Sequence, residues 1–135
     1  MQRANGFTLI ELAVVVAVVA IIAMIAFPSY TAAMQKSRRT EGKTLLQTIM
    51  AAEERYYTNF NRYTNDTGTS GLGVATDSEP GRYYALTKVS LSEDAQSVSL
   101  VVAPQNAQQS DRCGNLALDS IGRRGASMGE TADCW

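Results

Sequence analysis

Histidine is absent from the 135 residues, and the chain holds only two cysteines, three prolines and one tryptophan. Without histidine it lacks the commonest general base and the commonest metal ligand. The two cysteines, Cys113 and Cys134, stand too far apart for a catalytic C-x-x-C pair and, with no histidine to join them, make a poor zinc site. There is no Gly-x-Ser-x-Gly turn, no Gly-rich phosphate loop and no Walker sequence. No nucleophile constellation can therefore be assembled, and no enzyme, metal or cofactor is expected. Asp66, Asp77 and Glu79 miss EF-hand spacing and read as solvated loop charge. Net charge is scarce as well: 12 Lys and Arg against 13 Asp and Glu leave −1. That total gives no global pull toward nucleic acid, although a basic face can sit inside a neutral chain.

Apolar sequence is abundant at the front. Leu12 to Phe27 are sixteen residues without a charge, and the twenty-one from Phe7 to Phe27 hold only Thr8 and Glu11 as polar residues. At ~1.5 Å per residue the longer stretch reaches roughly 30 Å, the thickness of a bilayer's hydrocarbon core. A buried soluble helix seldom runs so far without a polar face, so a membrane span is expected. A conventional secretory signal fits poorly. The basic start is only Arg3, the apolar run is too long, and no Ala-x-Ala site follows it. The small-residue break lies in front of the run, at Gly6.

Gly6-Phe7-Thr8-Leu9-Ile10-Glu11, behind a short polar leader and ahead of an apolar run ending at Pro28, resembles the class III signal of the type IV pilin family. The resemblance implies a leader over residues 1–6, cut after Gly6 by a membrane prepilin peptidase, with methylation of the new N-terminal Phe7. It implies a transmembrane and assembly helix over residues 7–28 and a periplasmic pilin body over residues 29–135. The fold it implies is α+β: a long N-terminal helix packed on an antiparallel sheet of three to four strands, with a C-terminal disulfide-bounded region.

Glu11 is the costly residue in this stretch, because a carboxylate at a helix centre in lipid costs roughly 2.5–3.5 kcal/mol and such residues usually have a partner. Near the helix start it can also snorkel. In the family, the matching glutamate meets the N-terminal amine of a neighbouring subunit, which would make Glu11 an assembly residue. Pro28 removes one backbone hydrogen bond and is expected to bend the helix rather than stop it. Beyond it Tyr30, Met34, Leu45, Ile49, Ala52 and Tyr56 return to one helical face, so the helix is expected to run to about Thr58. Gly42 is a weak point in it, costing about 1 kcal/mol relative to alanine. By the family resemblance, filament packing would melt the stretch from Pro28 to Gly42.

Topology signals conflict. Lys36, Arg38, Arg39 and Lys43 follow the span while only Arg3 precedes it, and the positive-inside rule alone would leave the body in the cytoplasm. The leader and the cysteine pair argue for an exported body, and the basic cluster belongs to a structured helix. Residues 59–80, rich in Asn, Thr, Gly, Ser and Asp, read as a long connecting loop. Asn65-Asp66-Thr67 in that loop matches a glycosylation acceptor, a triplet that arises often by chance. After Pro80-Gly81 the period changes to two: residues 82–90 and 96–103 form a hairpin, residues 115–121 a third strand, and residues 122–125 a turn. A short fourth strand would lie near the end. Tyr56, Leu86, Val98, Leu100, Leu116 and Leu118 are the expected core.

In an exported body, an even cysteine count suggests a disulfide between Cys113 and Cys134, with two free buried thiols as the alternative. The arrangement is similar to the C-terminal disulfide region of pilins. Trp135 follows Cys134 and is expected to pack on the sheet. The segment from Ala52 to Tyr63 and the tail from Cys113 to Trp135 are most similar to minor pilins of the PilE kind. That implies a minor pilin built into, or priming, type IV pili for twitching motility and attachment. Its partners would be the peptidase, other major and minor pilins, the pilus assembly platform and, before assembly, the inner membrane. Two other readings stand beside it. A type II secretion pseudopilin shares Gly6, Phe7 and Glu11, but the main pseudopilins usually have a calcium site where this chain has its cysteines. Related minor pilins bind DNA in DNA uptake, and Arg82, Lys88, Arg112, Arg123 and Arg124 are the cations here that could cluster.

Overall fold

The computed structural model describes residues 6–135; Arg3 and most of the stretch expected to be a leader, residues 1–6, lie outside the described residues. The chain divides into two compact units, Met1–Met34 and Gln35–Trp135. Helix α1, Leu9–Phe60, contributes to both. It starts behind Thr8, whose side chain accepts the Glu11 N–H (3.3 Å) while Glu11 reaches back to the Thr8 N–H (3.0 Å). This is a capping box. It ends at Asn61, which adopts the left-handed conformation (φ 52°) and donates its N–H to the Tyr57 carbonyl at 2.7 Å. Such a residue satisfies a carbonyl left open by the last turn.

In the first unit the apolar side chains from Phe7 to Ala33 are exposed, and an 18-residue window of α1 reaches a mean hydropathy of 3.0. Pro28 lies inside the helix. Two hydroxyls bond carbonyls beside it, Ser29 to Ile25 (3.3 Å) and Thr31 to Pro28 (2.9 Å).

In the second unit, strands β1 (Tyr84–Leu91), β2 (Val98–Pro104), β3 (Leu116–Asp119) and β4 (Arg124–Ala126) form one antiparallel sheet in sequence order. A bulge at Thr87 shifts the β1–β2 register between Leu86 and Lys88. Along β2, Val98, Leu100 and Val102 alternate inward, the period of a half-buried strand. They meet Leu45, Leu46 and Ile49 of α1 in one core. A short 3-10 turn, Asn106–Gln108, precedes the disulfide region, and a four-residue helix α2, Thr131–Cys134, ends it.

Of the expected core, Val98, Leu100, Leu116 and Leu118 are buried, and Leu86 is half-buried against them. Tyr56 is outside it. Its ring lies 4.4 Å from that of Phe60, and both line an open cavity with Gly71 and Leu72 of the connecting loop rather than packing on the sheet. Tyr84 takes the central aromatic place, fully buried. Gly42, expected as a weak point, is the surface on which Tyr84 rests: a Cβ there would come within 2.7 Å of the ring. The turn expected over residues 122–125 is shorter, because Arg124 and Gly125 pair with Leu118 and Ala117 as the fourth strand.

Candidate functional site

The N-terminal motif is open. Gly6 and Thr8 are exposed, and Phe7 is 89% exposed. A Cβ built on Gly6 meets nothing within 4 Å among the described residues, so packing within the chain does not require a glycine there. Glu11 accepts both the Thr8 N–H and the Thr8 hydroxyl on one oxygen, each at 3.0 Å. Its charge is thus satisfied locally at the first turn, where the helix dipole also favours an anion. Thr8 as the cap was missed from the sequence, although the T-x-x-E spacing signals it.

The tail is fixed to α1 by buried polar groups. Arg39 pairs with Asp111 at 2.9 Å, both nearly inaccessible. The same Asp111 oxygen accepts the Tyr84 hydroxyl (2.9 Å) and the Gln108 amide (2.9 Å), and Gln108 also donates to the Gln35 carbonyl (2.9 Å). Burial above all pushes the Tyr84 hydroxyl well up from its usual pKa. Arg39 further donates to the Asp133 carbonyl at 3.3 Å, within the loop closed by the Cys113–Cys134 disulfide. The Trp135 indole N–H donates to the Gly125 carbonyl at 2.9 Å, which holds the tail on β4.

At the far end of the helix Glu53 is fully buried and accepts the Thr64 N–H at 3.1 Å. Burial pushes its carboxyl up, with that hydrogen bond opposing. Tyr63 donates to Glu54 at 2.8 Å, and burial together with this bond raises its hydroxyl to about 12.

Two of the cations singled out for DNA are paired with carboxylates. Arg123 is bound to Asp119 at 2.7 Å and Arg112 stands 4.0 Å from Asp133. Burial would raise the Asp119 carboxyl, but the Arg123 side chain and the backbone N–H groups hold it below its usual range. Arg82 and Lys88 are exposed. Arg124 instead lies over the Trp135 ring at 5.4 Å, and Lys43 approaches the same ring at 5.9 Å. Burial first, then the charges of Arg39, Arg124 and Lys36, press the Lys43 pKa down. This cationic surface around an indole was not foreseen, since Lys43 and Trp135 meet only through the fold. No group of three or more His, Cys, Asp or Glu side chains fit to hold a metal occurs among the described residues.

By fold this is a type IV pilin: a solved type IV pilin from Shewanella oneidensis superposes with a TM-score of 0.53 at 28% identity, covering 75% of this chain and 97% of that one. Residues 1–27 match the prokaryotic N-terminal methylation motif. Residues 28–117 match the family described as type IV minor pilin ComP, DNA uptake sequence receptor, and the chain belongs to that type IV minor pilin family. It is also similar to the type IV major pilin protein PilA of Myxococcus xanthus, 38% identical over 63 residues, or 47% of this chain. The chain spans 29% of the length of that curated relative.

Proposed function

We propose that this chain is a minor subunit of type IV pili, cut between Gly6 and Phe7, methylated at Phe7, and held in the inner membrane by residues 7–28 until assembly. Its body then faces the periplasm, and after assembly the outside of the cell, in filaments serving twitching motility and attachment. The observation that carries this reading is the Thr8–Glu11 capping box immediately behind a glycine that internal packing does not need. A glycine without an internal reason fits recognition by another protein, here a peptidase. The capping box lets Glu11 wait in the membrane without a second subunit, and cleavage creates the amine that Glu11 meets on a neighbour. Pro28 would supply the change of direction or local unwinding that filament packing needs.

Glu11→Gln separates cap from charge, because glutamine also serves in a capping box. We expect the variant to be cut and to keep its helix, yet to be lost from sheared filaments. Incorporation equal to wild type would overturn the role given to Glu11.

A second reading, reception of DNA during uptake, is favoured by the family description matched over residues 28–117 and by the cations about Trp135. Phosphate contacts release counterions, so binding of duplex DNA to the full chain should weaken steeply with salt. Lys43→Gln with Arg124→Gln should flatten that salt dependence more than Arg112→Gln does. No binding at low salt would remove this reading.

A further inference from the structure

At one end of the sheet lies a half-open groove of about 310 Å³, lined in part by the Asp119–Arg123 pair. That volume is at the lower end of the range for small-molecule pockets, about 300–1,000 Å³. Ser90 stands opposite Ser99, and Ser99 opposite Asp119, so a row of two hydroxyls and a carboxylate crosses three strands. Cross-strand partners of this kind share one face. Ser97, Ser120, Ile121 and Arg123 complete the rim.

Two planar polar groups in it are pre-set. Asp119 accepts the backbone N–H groups of Ile121 (3.1 Å) and Arg123 (2.8 Å) and the Arg123 Nε (2.7 Å). The Arg123 side chain is 78% exposed, which leaves its Nη donors accessible, and a carboxylate has about four lone-pair sites, of which three are used. Among the described residues nothing bonds the Ser90, Ser97 or Ser99 hydroxyls, whereas Ser92 and Ser120 are engaged with backbone N–H groups. Asp119 and Arg123 are the only charged side chains lining the groove, and they cancel. A phosphate chain needs uncompensated cations, which this groove lacks. Ile121, 72% exposed, adds an apolar surface beside the polar row.

We propose that the groove binds a neutral saccharide. Neighbouring sugar hydroxyls would accept from the Arg123 Nη donors and donate to Asp119, with the serine hydroxyls serving either way. The C–H face of the ring would lie on Ile121. This does not depend on the filament reading.

The test is nuclear magnetic resonance on the isotope-labelled full chain in a sugar-free detergent, titrated in turn with glucose, galactose, mannose and N-acetylglucosamine. At least one should shift the Ser97, Ser99 and Ile121 amides saturably and without dependence on salt. Ile121→Ala, at an exposed position, should weaken that response several-fold without changing the melting temperature, and Ser99→Val should weaken it by loss of a hydroxyl. The proposal is overturned if all four sugars leave these amides unmoved at tens of millimolar. It is equally overturned if the shifts survive both substitutions, or if only a duplex oligonucleotide moves these amides.

Discussion

A methyl group added at Gly42 would press within 2.7 Å of the Tyr84 ring. That ring is buried and tied through its hydroxyl to Asp111, so it has little freedom to retreat. Alanine improves helix propensity by about 1 kcal/mol, while overpacking a filled core costs about 1–3 kcal/mol. Gly42→Ala should therefore lower stability on balance, by about 1 kcal/mol, measured as denaturant midpoint at unchanged slope. A stabilised variant would mean that Tyr84 can move. The buried pair of Arg39 and Asp111 acts at the same scale. Tyr84 and Gln108 bond its carboxylate and the Asp133 carbonyl one guanidinium donor, so it gives the tail one register on the helix rather than a large net gain.

Among the elements, α1 and the first three strands were legible because their apolar periods, 3.6 and 2, survive in the sequence. A fourth strand was expected near the end but not its place at residues 124–126, since Arg124-Gly125-Ala126 holds no β-branched or aromatic residue and pairs on an already formed β3. Likewise the contacts of Arg39 with Asp111 and of Lys43 with Trp135 join residues far apart in the chain, and no local pattern announces them. The capping box was legible in principle: Thr8 and Glu11 were both noted, but as parts of a cleavage motif and a charge, not as a pair. The disulfide belongs to this scale too. It closes a loop of sequence separation 21 that carries α2 and β4. Its reduction should cost about 3 kcal/mol in the chain-entropy model, read as a fall in melting temperature with reductant. Because the Trp135 indole is held on Gly125, tryptophan fluorescence should change in the same transition. An unchanged melting temperature would assign the tail's stability to the Arg39–Asp111 network alone.

For the whole molecule, the chain combines a unit whose apolar side chains are exposed with a body that has its own core. Exposed apolar surface of this extent needs a partner; in the function proposed above, lipid would supply it before assembly and neighbouring helices afterwards. The proposed function ties both stages to one event, a cut behind Gly6, which would leave Phe7 as terminus and free the amine proposed to meet Glu11. Mass spectrometry of filaments sheared from the cell surface tests this most directly. The account predicts peptides of this chain beginning at N-methylated Phe7, below the major subunit in amount. Chains in the filament that retain residues 1–6, or filaments that never contain this chain, would contradict it.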